Sequence, residues 1–201
     1  MPTSKDIKKP SQERARVRRH KILLCAHDLL AREGAAAVTT TSIAQEAEIP
    51  VGSIYRYFTD KEAILSELYD TAYAEVETEV LKTLEGLERG LGFRETHSRL
   101  IHAFWRAARS HPSFRLLTRW ANSQRSLWDV TPGPDSNLGQ MVIRTLEVAE
   151  TTLPAARRDV MLRTTVTTLS VLVDQAIEED DEQVAAALIE ELATLLAAYI
   201  E

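Results

Sequence analysis

Thr39-Thr40-Thr41-Ser42-Ile43-Ala44-Gln45-Glu46-Ala47-Glu48-Ile49-Pro50-Val51-Gly52-Ser53-Ile54-Tyr55-Arg56-Tyr57-Phe58 is the stretch on which the reading of this 201-residue chain turns. A threonine oxygen at position 39 can accept a free N–H of a first helical turn, so Thr39 opens a short helix over residues 40–47. Ile43, Ala44 and Ala47 then share its inner face. Glu48-Ile49-Pro50 forms a turn, and proline suits a helix start, where its missing N–H costs little. A second short helix follows over residues 51–57. Ile54 and Phe58, four apart, point inward and leave Val51, Gly52, Ser53, Tyr55 and Arg56 outward, with Gly52 allowing close backbone approach.

Upstream, Ile22, Ala26, Leu29 and Leu30 recur at helical spacing within residues 11–33, and Gly34 supplies a left-handed stop. Residues 1–10 are polar, hold two prolines, and read as a flexible basic arm. Downstream, Thr59 with Glu62 reads as a capping box that opens a long helix to about residue 85, broken by Gly86, Gly90 and Gly92. Further helices are expected over 93–110, 112–124, 136–150, 155–178 and 182–200, with Thr131-Pro132-Gly133-Pro134-Asp135 as a loop. With no convincing period-2 segment, the expected class is all-α. Three helices over residues 11–60 form a helix-turn-helix, and residues 61–201 form a helical body, about nine helices in all.

Charge divides the chain at the same place. Residues 1–61 carry 11 Lys/Arg against 7 Asp/Glu, and residues 62–201 carry 13 against 23. A basic head on an acidic body points to a polyanion that meets only the head. A helix-turn-helix is a geometry for placing its second short helix in the major groove of DNA, which is ~12 Å wide.

The segment from Gly34 through Thr39, Ile43-Ala44, Ala47-Glu48-Ile49-Pro50, Gly52-Ser53-Ile54-Tyr55-Arg56-Tyr57-Phe58 and Lys61-Glu62 to Leu65 resembles the DNA-binding signature of the TetR family of regulators. About ten positions agree at fixed spacing. The chain departs from that signature at two positions. Glu48 stands where the family usually has glycine, and Pro50 where it has serine. Glu48 must then take a turn conformation that glycine adopts more easily. The resemblance implies that Tyr57 and Lys61 contact phosphates, that Thr39 and Thr40 do so from the preceding helix, and that Ser53, Tyr55 and Arg56 reach bases or nearby phosphates. Arg18, with Arg14, Arg16 and Arg19, would add backbone or minor-groove contacts. Double-stranded operator DNA, a second copy of the chain and a small-molecule effector are the implied partners, and repression is the implied function.

The body offers two candidate sites. Phe104, Trp105, Phe114, Trp120, Trp128 and Met141 cluster in sequence, interleaved with His102, Arg109 and other arginines. This is the composition of an aromatic-lined pocket for a small ligand, or of an ordinary aromatic core. The last two helices are apolar over more than one stripe. Leu162, Val166, Leu169 and Val173 on the first and Leu188, Leu192, Leu195 and Tyr199 on the second are the expected interface of a homodimer. The resemblance implies a four-helix bundle there.

Other functional classes find little support. There is no HExxH, no Glu-x-x-His pair, no phosphate-binding loop and no dinucleotide fingerprint, so no enzyme, metal or cofactor is expected. His97 and His102 are five apart, off a common helix face. The single cysteine, Cys25, allows no intrachain disulfide. No uninterrupted apolar run approaches the ~20 residues of a membrane span, no secretory signal is read at the N-terminus, and a cytoplasmic location is expected.

Overall fold

In a computed structural model, the structure describes residues 10–124 and 135–201, and nine α-helices account for most of them. They are α1 (Pro10–Glu33), α2 (Thr40–Glu46), α3 (Val51–Ile54), α4 (Lys61–Glu85), α5 (Phe93–Ser110), α6 (Phe114–Ser123), α7 (Asn137–Val148), α8 (Arg158–Glu178) and α9 (Glu182–Ile200). No strand occurs among the described residues. The all-α expectation therefore holds. Two compact units divide the chain, Met1–Asp70 and Thr71–Glu201.

The first unit is built on the stripe read from sequence. Ile22, Ala26 and Leu30 of α1 are fully buried, as are Val38, Ile43, Ala47, Ile54 and Ile64. Gly34 ends α1 at φ 81°, its N–H donating to the Leu30 carbonyl at 2.9 Å. Thr39 caps α2 as expected, its hydroxyl accepting from the Ser42 N–H at 3.0 Å while the Thr39 N–H donates to Ser42 Oγ at 2.9 Å. The cap of α4 differs from expectation. Asp60 is the residue just outside the helix, and its Oδ1 accepts from the Ala63 N–H at 2.7 Å. Thr59 donates to Asp60 Oδ2 at 3.2 Å instead of pairing with Glu62. A carboxylate at that point also complements the positive end of the helix dipole.

In the second unit, α9 packs on α5 and α8, and α7 fills the space against α5 and α8. The shared core contains Phe93, Ile101, Val142, Leu146, Met161, Val166, Ile189, Leu192 and Leu196. A smaller cluster joins Val80 and Leu84 of α4 to Leu100 of α5. Two starts fall later than expected. Ser113 precedes α6, which begins beyond Pro112, and a 3-10 turn over Ala155–Arg157 comes before α8. By length and composition α9 is apolar enough to cross a membrane, although Glu190 and Glu191 interrupt it. Its Ala185, Ile189, Leu192, Leu196 and Ile200 face is buried in the core of the unit.

Candidate nucleic-acid interface

The α2–turn–α3 segment forms because two residues anchor it and the turn between its helices is strained into place. Ile54 is fully buried and Phe58 is 5% exposed. α3 itself is only Val51–Ile54, shorter than the helix expected to Tyr57. Beyond it the chain closes as a turn, with the Tyr57 and Phe58 N–H groups both donating to the Ile54 carbonyl at 2.8 and 3.0 Å. Four residues give one helical turn, so burial of Ile54 and Phe58, not helix propensity, holds this segment. Glu48 sits at φ 52°, the left-handed conformation that its side chain disfavours. Pro50, at φ −60°, is the residue just before α3.

The outward residues of this segment form one surface. Val51, Gly52, Tyr55 and Arg56 are exposed, Tyr55 at 57%, and Ser53 and Tyr57 are half-buried. A Cβ added at Gly52 would meet nothing within 4 Å, so glycine leaves open space on this face. Tyr55 Oη lies 3.3 Å from Thr40 Oγ1, which ties the first turn of α2 to α3. Thr39 is exposed and Thr40 half-buried beside it. Lys61 is half-buried in the first turn of α4, with its Nζ 3.8 Å from Glu62 Oε1. Thus Thr39, Thr40, Val51, Gly52, Ser53, Tyr55, Arg56, Tyr57 and Lys61 all lie in the α2–α3 segment and the start of α4.

The N-terminal arginines separate. Arg16 pairs with Glu13 at 2.7 Å. Arg19 makes a two-pronged pair with Glu67 and stacks on Phe58, 4.8 Å from the ring centre. Arg14 and Arg18 are exposed and, among the described residues, carry no ion pair. Arg19 thus differs from Arg18 in that its charge is paired within the unit.

In the body the expected ligand residues that are described fall into separate groups. Phe104 meets Phe114 edge-on at 6.1 Å, and Phe104 and Met141 pack against the small Val80–Leu84–Leu100 cluster. Trp105 packs against the larger core instead, with Arg109 5.5 Å over its ring. Phe114 is a core residue, 2% exposed. Trp120 is half-buried on α6, and Trp128 lies outside the described residues. His102 Nε2 is 2.6 Å from Glu190 Oε1, and that hydrogen bond raises its pKa. A groove of about 650 Å³ opens between α4 and the end of α5, lined by Glu75, Val76, Glu79, Arg106 and His111 among others, and includes none of the expected set.

The arginines interleaved with the aromatics face outward. Arg109 pairs with Glu182, Arg115 with Asp180, and Arg119 with Glu178 at 2.6 Å. They pair with three acids of the run between α8 and α9, whereas Arg106 lines the groove between α4 and α5.

The expected dimer residues also divide. Leu162, Val166, Leu169 and Leu192 are buried in the core of their own unit. Val173, Leu188 and Tyr199 are half-buried against that core. Leu195 remains 52% exposed, and Val160 and Val184 on the same helix pair are 67% and 45% exposed. Periodicity showed that α8 and α9 carry apolar residues on two sides but not which side the chain itself covers.

Two family models match the chain. One, described as bacterial regulatory proteins of the tetR family, covers residues 22–68, and the other, the tetracyclin repressor-like C-terminal domain, covers residues 93–200, more than half of the chain. The chain belongs to the TetR family. It is a transcriptional regulator with a helix-turn-helix DNA-binding domain. The HTH-type transcriptional regulator HbdR of Aromatoleum sp. (strain CIB) is 35% identical over 88 residues, 44% of this chain and 36% of that protein. The aligned part thus spans about a third of that relative. A TetR-family transcriptional regulator from Streptomyces coelicolor shares the fold at a TM-score of 0.59 and 23% identity, covering 90% of this chain and 96% of its own. A TetR-like transcriptional regulator from Rhodococcus sp. RHA1 does so at 0.53 and 20%, covering 92% and 93%.

Within this TetR-family chain, the first match spans the end of α1 through the second turn of α4 and includes Thr39–Lys61 entire. Sequence reasoning missed the Arg19–Glu67 pair and the Tyr55–Thr40 contact. The 48 positions between Arg19 and Glu67 hid the first, since helical spacing reaches only neighbours three or four apart.

Proposed function

We propose that this regulator is a ligand-responsive repressor that binds a palindromic operator as a homodimer. The observation that carries the reading is the division of labour in α3. Ile54 and Phe58 are buried while Val51, Gly52, Tyr55 and Arg56 are exposed and Ser53 half-exposed, the side chains a major groove would receive. Tyr57, Lys61, Thr39 and Thr40 hold phosphates beside it, and Arg18 adds a cation from α1. These contacts set register, and the outward residues of α3 select sequence.

One such head reads too few bases to be selective. Two copies related by a two-fold axis read half-sites ~10 bp apart or a multiple of that. The α8–α9 pair serves as the dimer face through Val160, Val184 and Leu195, with Leu188 and Tyr199 at its border. A small molecule bound in the body favours a conformation with lower operator affinity. A hundredfold loss requires about 2.7 kcal/mol of difference between the two states. Phe104 and Met141, which pack against one cluster, are the two expected residues that would meet it together. Such a regulator works in the cytoplasm.

The test is selection of duplexes from a random library by the purified protein, followed by titration across a salt series. A two-fold symmetric consensus bound by a dimer is expected. Failure to enrich any duplex at low salt, or enrichment by a strict monomer, refutes the reading.

A further inference from the structure

Arg18 and Arg19 are adjacent on α1, about 100° apart around the helix, and their surroundings differ completely. Arg18 is exposed. The Arg19 guanidinium gives both prongs to the Glu67 carboxylate and lies over the Phe58 ring, its Cζ 4.8 Å from the ring centre. Three separate segments meet on this one side chain: the middle of α1, the residue that closes the α3 turn, and the second turn of α4. Phe58 follows Tyr57 directly and stands three residues before Lys61. Two of the four proposed phosphate contacts, Tyr57 and Lys61, therefore hang from the segment that Arg19 holds.

We infer that Arg19 is a positioning residue for operator reading, acting through Phe58 and Glu67 and touching no phosphate. The inference rests on the reading of α3 as the DNA-facing segment. A planar guanidinium suits the task, because it can fork onto a carboxylate and stack on an aromatic face at the same time, which an ammonium cannot. Its charge is matched by Glu67, so it adds nothing to the counterions released on binding. Its effect is on geometry: it fixes the angle between α3 and the first turn of α4, and with it the match between base-reading and phosphate-holding groups.

The test uses the full-length protein and two probes, a duplex selected from a random library by the wild type and a scrambled duplex of equal length. Active fraction is measured by stoichiometric titration. Dissociation constants are then measured for the active protein across a salt series. For Arg19→Ala we expect about a tenfold loss on the selected duplex, little change on the scrambled one, and an unchanged salt slope. Glu67→Gln should reproduce this loss, and the double variant should be no worse than either single one, as for residues acting as a unit. Arg19→Lys should restore little.

Equal losses on both duplexes, with a salt slope shallower by ~0.9, would make Arg19 a phosphate contact and overturn the proposal. A lower active fraction with unchanged dissociation constants would reduce it to a fold-stabilising residue and overturn it as well. Lys61→Ala, run in parallel, keeps the two levels of reading apart. If its slope does not change, the phosphate assignment fails, and the selected-to-scrambled ratio of Arg19→Ala still decides the positioning role.

Discussion

Acidifying the protein from pH 7 to pH 5 should weaken the body through one residue, His97. Its ring is 5% exposed and stacks on Phe93 at 5.2 Å between ring centres. Nε2 is buried without a hydrogen-bond partner. Burial, helped by the nearby His102 charge, pushes its pKa down to about 4. In the unfolded chain the same ring titrates near ~6.5. The folded value is the lower one, so the unfolded state gains the proton first, and stability falls as pH drops from about 6.5 towards 4. At pH 5 the unfolded state gains roughly 2 kcal/mol over the folded state from this group alone. For a chain of this size that is a melting-temperature loss of about 4–8 °C.

Carboxylates titrate in the same range, so the measurement is a difference. Urea unfolding of wild type and His97→Leu is compared at pH 7 and pH 5. The variant should lose about 2 kcal/mol less between the two. His102 works in the opposite direction. Its raised pKa stabilises the fold at low pH, and that contribution is lost as pH rises through the folded value, alike in both proteins. Equal acid losses in the two proteins would refute the account of His97 as a buried neutral ring.

Three further outcomes are expected. Glu48→Gly should raise stability by about 0.5–1 kcal/mol in thermal melts, since glycine relieves the φ of 52° at the α2–α3 turn, and a loss of stability would show that the Glu48 side chain makes a contact of its own. Tyr57→Ala and Lys61→Ala should each weaken binding to selected and scrambled duplexes alike, with Lys61→Ala flattening the salt slope by ~0.9, and unaltered binding would remove both from the phosphate contacts. Leu195→Glu, at an exposed position of α9, should shift the protein towards monomer in light scattering while leaving its helical content intact, and an unchanged dimer would place the interface elsewhere.

The head was legible in sequence because its determinants are local. Ile22, Ala26, Leu29 and Leu30 announce α1 by spacing, Thr39 announces α2 by its hydroxyl, and Glu48, where the family has glycine, announces the left-handed turn. The exchange of Thr59 for Asp60 at the start of α4 marks the edge of that legibility. Both residues can cap, and the choice depends on which N–H happens to be the first one free. In the body the deciding partners are distant in sequence. Arg119 finds Glu178 and Arg115 finds Asp180 some sixty residues away, so composition suggested inward cations where the fold turned them out. Leu162 and Val166 satisfy the pattern of a dimer face and of a core equally well, and only packing separates the two.

Anchoring of the α3 turn falls to Ile54 and Phe58, and the five neighbours proposed to read DNA contribute little to the folded core. Mutational drift can therefore explore new target sites at positions 51, 52, 53, 55 and 56 without endangering the architecture that presents them. A duplicated copy of this gene could acquire a different regulon by a handful of surface changes while keeping the scaffold it inherited.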